Sequence, residues 1–294
     1  MVDKLVDEHG LNRSEGLQAI GLARSTYYYR SKSAHRKRPF DPALCEAIQA
    51  IHKRASVYGY RKVWATLRAL SWQVNHKRVL RYMRHLGLLQ PLKTKGQTFT
   101  RPEMIEPVVS NTYWEMDLTY VWCGEQQGYL FALIDGYDKE IPGDYFGDRC
   151  RSDEAVGVLE QALLKRFGGR VPAGHRLVLR VDRGPQFKAR KFRETARRLG
   201  VMLEYAGARC PDDKPYIEAF FSKYKTEEVY RNDYRSIGES KLAWESYRAW
   251  HETERVHQSL NYQTPRAVYE GSEEKELDNE AEKCNLYKPS FCPK

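Results

Sequence analysis

The sequence has no long apolar run and no cysteine motif. Its longest apolar stretch, around Leu130 to Ile134, is about six residues, whereas a membrane-spanning helix needs roughly 18. The first residues, MVDKLVDEHG, contain no apolar signal region. None of the six cysteines forms a CxxC pair, which argues against a zinc site and favours reduced thiols. We therefore predict a globular cytoplasmic protein that does not bind membranes.

Acidic residues are also missing from one long segment. The chain has a net charge of +10, and no Asp or Glu occurs between Glu46 and Glu103. A segment with charge of one sign repels itself unless an anion faces it, so we predict a polyphosphate partner. A merely solvated basic face is the alternative. The same segment holds the basic residues Lys53, Arg54, Arg61, Lys62, Arg68, Lys77, Arg78, Arg81, Arg84, Lys93, Lys95 and Arg101.

Apolar spacing within this segment predicts two helices. GYRKVWATLRAL and NHKRVLRYMRHLGL both show 3/4 spacing, and the short link SWQV leads to Asn75, a suitable N-cap. Together they predict a basic helix-turn-helix domain over residues 41–90, with Val79, Leu80 and Met83 packing inward. A weaker helical pair, a possible first helix-turn-helix, is predicted over residues 1–40. The predicted DNA-binding residues of the basic domain are Arg61, Lys77, Arg78, Arg81 and Arg84.

After a linker at residues 91–110, the apolar period changes from helical to alternating. YWEMDLTYVW reads as a half-buried strand with Asp117 on its more polar face. The following segments predict three strands, helix, strand, helix, strand and helix, which is the order of a ribonuclease-H-like α/β fold with a mixed five-stranded sheet. We assign this catalytic core to residues 111–236, a helical extension to 237–270 and a disordered tail to 271–294.

Three carboxylates from distant parts of the chain could meet in this fold. Asp117 lies in the middle of a strand, Asp182 ends RLVLRVD, and Glu218 begins a helix. Acids that converge repel one another unless hard cations such as Mg²⁺ balance them. Two such ions about 3.5–4 Å apart can activate a hydroxyl and stabilise a leaving oxygen in phosphoryl transfer. The sequence therefore predicts a two-metal site.

Other polar residues are weaker candidates. Asp135 precedes a glycine and reads as a turn, and Asp212 and Asp213 read as loop or capping residues. Either Gln186 or Lys188 could touch substrate phosphate, although a role at a helix entry fits equally well. Both His251 and His257 could be general bases, but packing or DNA contact is the simpler reading, since metal-dependent transfer needs no such base.

The three acids stand in recognisable strings. MDLTYV, VDRGPQF and PDDKPYIEAFFSKYKTE, with 35 residues between Asp182 and Glu218, resemble the signature blocks of the DDE transposase and retroviral-integrase superfamily. More narrowly, the chain resembles the integrase-like, second-frame product of bacterial IS3-family insertion sequences. It departs from the family pattern at Asp213-Lys214-Pro215-Tyr216, where an aspartate and asparagine often precede small residues, and at Trp250-His251-Glu252.

The resemblance implies a function. Asp117, Asp182 and Glu218 match the catalytic triad that binds two Mg²⁺ or Mn²⁺ ions, and Lys225 matches a basic residue that approaches the terminal DNA. The family cleaves at the inverted-repeat ends of an element and joins the freed 3′-hydroxyl to another phosphodiester. It acts on double-stranded DNA as at least a dimer, at the nucleoid, and an upstream reading frame can supply a partner. A ribonuclease-H-like nuclease or resolvase, or a catalytically silent DNA-binding regulator, remains the alternative.

Overall fold

The computed structural model describes residues 10, 12–27, 39–90, 106–207 and 213–278. In the N-terminal region it places helix α1 (Arg13–Ala19) and a helical turn at residues 24–27. The rest of the predicted first helical pair, most of the linker, Asp212 and residues 279–294 lie outside the described residues.

Three helices form the basic region. They are α2 (Pro42–Arg54), α3 (Tyr60–Ala69) and α4 (His76–His85). The two predicted helices are α3 and α4, and the side chain of Asn75 caps α4 by accepting from the Lys77 amide. The prediction that Leu80 packs inward is wrong, because Leu80 is only half-buried. The buried residues of α4 are Val79, Tyr82 and Met83.

Helix α2 was not predicted. Asp41 caps its N-terminus, Pro42 occupies its first turn, and Leu44, Ile48 and Ile51 face the apolar core of the region. Proline is favourable there because the first amides of a helix have no intrahelical acceptor. The three helices therefore share one apolar cluster.

A five-stranded sheet occupies the centre of the chain. Its strands are β1 (Tyr113–Cys123), β2 (Gln126–Asp135), β3 (Gly143–Gly147), β4 (Leu177–Val181) and β5 (Val201–Tyr205). The spatial order is β3-β2-β1-β4-β5. Strands β1, β2 and β3 pair antiparallel, whereas β4 is parallel to both β1 and β5. This mixed sheet confirms the predicted ribonuclease-H-like fold class.

Helices cover both faces of the sheet. Helices α5 (Ser152–Phe167), the short α6 (Pro185–Lys188) and α7 (Arg190–Arg198) pack on one face. Helices α8 (Pro215–Glu227) and α9 (Ile237–Thr253) pack on the other. Because both faces are covered, β1 is buried on both sides over its first residues and becomes half-buried only towards its end. The prediction of a half-buried strand is therefore wrong for the first part of β1.

The helical region contacts the core through the segment after α9. The Tyr58 hydroxyl accepts a hydrogen bond from the Val256 amide at 3.0 Å, and Arg54 pairs with Glu254 at 2.9 Å. Trp250 packs in the apolar clusters of both regions. The basic helices and the sheet are thus packed together by α9 and the residues that follow it.

The last described helix, α10 (Pro265–Asp278), continues past residue 270 into the segment predicted to be a disordered tail. Residues 271–278 are therefore helical, and the rest of the predicted tail lies outside the described residues. Within the described ranges, no helix has the length and apolar character needed to cross a membrane.

Candidate active site and nucleic-acid interface

Asp117 lies in the middle of β1, opposite Ala132 of β2. Its side chain is 18% exposed, and its Oδ2 atom lies 2.8 Å from the Nζ atom of Lys214. Its Oδ1 atom accepts a hydrogen bond from the amide of Leu118 at 2.9 Å. The carboxylate is thus half-buried and already faces a cation.

Asp182 follows the last residue of β4. Its Oδ1 atom accepts a hydrogen bond from the Gly184 amide at 2.7 Å, which orders the turn before α6. The parallel register pairs Glu115 with Arg180, the residues two positions before Asp117 and Asp182. The fold therefore places Asp117 on β1 and Asp182 directly after the end of the adjacent strand β4.

Glu218 lies in the first turn of α8 and is exposed. The start of this helix is fixed by Glu115 of β1, whose Oε2 atom accepts hydrogen bonds from the amides of Tyr216 and Ile217, both at 2.9 Å. These amides have no acceptor within the helix, and a carboxylate at a helix N-terminus also favours the helix dipole. Glu115 thereby positions the turn that carries Glu218.

Glu115 itself was not predicted as a site residue. It is fully buried, and burial raises the pKa of its carboxyl to about 7 despite the hydrogen bonds it accepts, which favour the charged form. The alternating pattern of YWEMDLTYVW put Glu115 on the same face as Asp117. The sequence could not indicate that a helix about 100 residues later would cover that face.

The donor chemistry of the predicted triad fits a hard divalent cation, because all three groups are carboxylates. The described residues do not, however, include any group of three His, Cys, Asp or Glu placed to hold a metal ion. The structure thus places Asp117 on β1 and Asp182 just after the neighbouring strand β4 without closing a ligand set with Glu218. The cation that lies at Asp117 is the ammonium of Lys214.

A crevice of about 960 Å³ lies beside Glu218. It is also lined by Lys139, Lys223, His251 and His257. Burial lowers the pKa of Lys139 to about 8 and also lowers that of Lys223. Nearby cations such as Arg255 add to the effect on Lys223. The amines of Lys139 and Lys223 therefore line the crevice beside Glu218.

Both histidines of this crevice are packing residues. His251 is 2% exposed and makes a 3.2 Å contact from Nε2 to the Lys139 carbonyl oxygen, and burial lowers its pKa to about 3. The ring of His257 packs edge-on against it, and burial also lowers the pKa of His257. Both imidazoles are therefore neutral at neutral pH, and the prediction that they pack is confirmed.

The rival aspartates have structural partners. Asp135 is fully buried and accepts from the amides of Asn111 and Tyr137 and from the Trp114 indole, so it holds the turn after β2. Asp213 accepts from the Gly207 amide and closes the loop before α8. Both predictions of a turn or loop role are confirmed.

The predicted DNA-binding residues of the helical region differ in their surroundings. Arg61, Lys77, Arg78 and Arg84 are exposed. Arg78 also pairs with Asp41 at 3.5 Å, and Arg81 is half-buried, with its guanidinium over the rings of Phe40 and Tyr82 at 5.1 and 5.4 Å. Arg81 therefore packs within the domain as well as lining its surface.

Two of the predicted DNA-binding residues, Lys188 and Lys225, lie in the core rather than in the helical region. Lys188 is exposed at the last residue of α6, close in sequence to Asp182. The Nζ atom of Lys225 lies 5.1 Å from the ring centre of Tyr120, an exposed residue of β1. This contact places the face of α8 that carries Lys225 against the same strand as Asp117.

Family models match most of the described chain. An HTH-like domain matches residues 39–96, and two integrase core domain models match residues 108–211 and 199–265. The basic helical region and the five-stranded core therefore correspond to two separately recognised kinds of domain.

Two relatives match over most of their length. The chain is 26% identical over 262 residues to a putative transposase, InsK, for insertion sequence element IS150 of Escherichia coli (strain K12), covering 85% of this chain and 91% of the relative. It is 28% identical over 254 residues to a putative transposase for insertion sequence element IS986/IS6110 of Mycobacterium tuberculosis (strain CDC 1551 / Oshkosh), covering 81% and 91%.

One solved structure that resembles the chain is a simian T-cell lymphotropic virus intasome in complex with PP2A regulatory subunit B56 gamma. Its matching chain has 15% identity and a TM-score of 0.47, and the match covers 84% of this chain and 80% of that one.

Proposed function

We propose that the chain is a DNA transposase of the DDE transposase and retroviral-integrase superfamily, which cleaves at the ends of an insertion sequence and joins the freed 3′-hydroxyl to another phosphodiester. The relatives are named as putative transposases for insertion sequences, and the chain spans about nine-tenths of their length. The chain also combines an HTH-like domain with integrase core domains.

One observation carries the assignment of the catalytic residues. Asp117 lies on β1, Asp182 directly follows the adjacent strand β4, and Glu115 fixes the start of the helix that carries Glu218. Carboxylates are the ligands that hard cations prefer.

We assign Asp117, Asp182 and Glu218 as the ligands of divalent ions, Mg²⁺ or Mn²⁺, two in the active complex. Bound ions would supply the Lewis acidity that activates the attacking hydroxyl and stabilises the leaving oxygen. The chain's own part is to hold the three carboxylates and to place the DNA. Lys225, on the face of α8 next to β1, would bind a phosphate of the terminal DNA.

The basic helices would engage the rest of the DNA. The exposed residues Lys77 and Arg84 of α4 and Arg61 of α3 would contact phosphates of double-stranded DNA at the inverted repeats. Two ends must be brought together before joining, so the active form would be at least a dimer on DNA that also binds target DNA. A protein from an upstream reading frame is a further proposed partner, and the nucleoid would be the place of action.

The test is a joining assay. Purified full-length protein is incubated with labelled duplex DNA from the ends of the element that encodes it, target DNA and Mg²⁺. We expect strand-joined products that disappear when EDTA replaces the metal. Cleavage without joining would instead indicate a nuclease or resolvase, and DNA binding without chemistry would indicate a regulator.

Matched variants test the residue assignment. Asp117→Asn, Asp182→Asn and Glu218→Gln should each reduce joining by at least about a thousandfold while DNA binding persists, because each removes a charged metal ligand. Glu160→Gln, an exposed glutamate on α5, is the control and should join normally. Normal joining by any of the three triad variants would refute the assignment of that residue.

A further inference from the structure

The ion pair between Lys214 and Asp117 is almost closed to solvent. The ammonium lies 2.8 Å from the Oδ2 atom, and the two side chains are 6% and 18% exposed. A lysine is rarely buried without an anionic partner, because removing an ammonium from water is costly. Within the described residues, Asp117 is the acid with which Lys214 forms an ion pair.

Lys214 is also placed at the helix that carries Glu218. It immediately precedes α8, and its carbonyl oxygen accepts the amide of Glu218 at 3.1 Å. Its side chain therefore reaches from the start of α8 to β1, next to Glu115, which holds the same helix by its amides. Lys214 thus links Asp117, through its side chain, to the start of the helix that carries Glu218, through its backbone.

An ammonium and a divalent ion compete for the same carboxylate. Metal–oxygen distances for Mg²⁺ are about 2.1 Å, so an ion on Oδ2 of Asp117 would lie within a few ångströms of Nζ, where two positive charges repel strongly in a half-buried site. The ammonium has to leave before the ion can bind.

We infer that Lys214 is an internal counter-cation of Asp117, which neutralises this carboxylate in the metal-free protein and which a divalent ion must displace. The inference rests on the proposed function, because it takes Asp117 to be a metal ligand. Lys214 is a positioning residue: it acts on the metal through Asp117. Its presence weakens metal binding in the protein without DNA and stabilises the metal-free site.

The test measures metal binding in the absence of DNA. Mn²⁺ affinity of the full chain is determined by electron paramagnetic resonance of the free ion, for wild type, Lys214→Gln and Lys214→Arg. We expect Lys214→Gln to bind Mn²⁺ about tenfold more tightly, because one repulsive charge next to the ligand is lost, and Lys214→Arg to bind like wild type. In EDTA, Lys214→Gln should melt at a lower temperature, and Mn²⁺ should raise its melting temperature more than that of wild type.

Lys241→Gln is the matched control, since it removes one exposed positive charge from α9. It should change Mn²⁺ affinity by less than about twofold. The double variant Asp117→Asn/Lys214→Gln should not show the tighter Mn²⁺ binding expected of Lys214→Gln, because the carboxylate that binds the ion is removed. Unchanged or weaker Mn²⁺ binding by folded Lys214→Gln would overturn the inference and leave Lys214 as a structural tie between α8 and β1.

The joining assay separates this inference from the proposed function. Joining by wild type that depends on Asp117, together with unchanged metal affinity in Lys214→Gln, refutes only the role of Lys214. Tighter Mn²⁺ binding by Lys214→Gln, with no joining or cleavage by wild type, supports the ion exchange and refutes the transposase.

Discussion

The carboxylate of Glu115 accepts a hydrogen bond from the amide of Ile217, 102 residues later in the chain, at 2.9 Å. This bond joins the strand of Asp117 to the helix of Glu218. The position of Glu218 relative to Asp117 therefore depends on Glu115, a third acid, which is fully buried.

Replacement of Glu115 by Gln should change the pH dependence of stability. Burial raises the pKa of Glu115 from 4.5 to about 7, so its contribution to the free energy of unfolding is fully present below pH 4.5 and is lost as the pH rises through 7. Denaturant unfolding of wild type and Glu115→Gln between pH 4 and 8 measures this. The stability of wild type relative to the variant should fall by up to about 1.4 kcal/mol per pH unit between pH 4.5 and 7 and level off above that. A difference that does not vary with pH would contradict the prediction.

His251 should have the opposite effect at lower pH. Burial lowers its pKa from 6.5 to about 3, so its contribution to stability is present above pH 6.5 and is lost as the pH falls towards 3, where the unfolded chain binds the proton first. His251→Gln should therefore lose less stability on acidification than wild type does. Parallel acid-unfolding curves for the two proteins would disprove this reading.

Gly143 in β3 should not tolerate a side chain. A Cβ atom there would lie 2.3 Å from the carbonyl oxygen of Val158 and 3.0 Å from the Cβ of Ala162, both in α5. Gly143→Ala should reduce the free energy of unfolding by about 1–3 kcal/mol, because β3 and α5 would have to move apart. Urea unfolding measures the change.

Gly157 in α5 is the matched control for that experiment, because a Cβ atom there meets nothing within 4 Å. Alanine is favoured over glycine in a helix interior by about 0.5–1 kcal/mol, so Gly157→Ala should be neutral or stabilising. Equal destabilisation by both substitutions would show that the contact with α5 is not the cause.

The basic face of α4 should determine the salt dependence of DNA binding. Lys77→Ala/Arg84→Ala removes two exposed cations, so the slope of log affinity against log salt concentration should decrease in magnitude by roughly two. Fluorescence anisotropy with duplex DNA at several salt concentrations measures the slope. Arg197→Ala/Arg198→Ala on α7 is the control, and an equal change in that variant would mean that the slope reports net charge alone.

The sequence predicted elements whose pattern is local. Alternation predicted β1, the run RLVLRVD predicted β4, which ends one residue before Asp182, and the 3/4 spacing predicted α3 and α4. Helix α2 was missed although its signals, Asp41 and Pro42 before apolar residues at helical spacing, are local too.

The site was predicted less completely, because its contacts are long-range. Periodicity put Glu115 and Asp117 on one face of β1, but the partners of both residues lie about 100 residues later, at the start of α8. Lys214 was recognised only as a departure from a family pattern. Its contact with Asp117 follows from how α8 crosses the sheet, which no local pattern reports.

Trp250 packs in the apolar clusters of both the helical region and the core. This packing bears on the spacing along the DNA between the recognised sequence and the cleaved bond. With the Tyr58 hydroxyl bound to the Val256 amide, the helical region that contains the proposed DNA-binding helix α4 is packed against the core that contains β1. The number of base pairs between the recognised sequence and the cleaved bond would then be set by the distance between the two regions in the folded protein. Inserting half a helical turn of DNA between the two would turn the cleavage site to the opposite side of the duplex from the carboxylates.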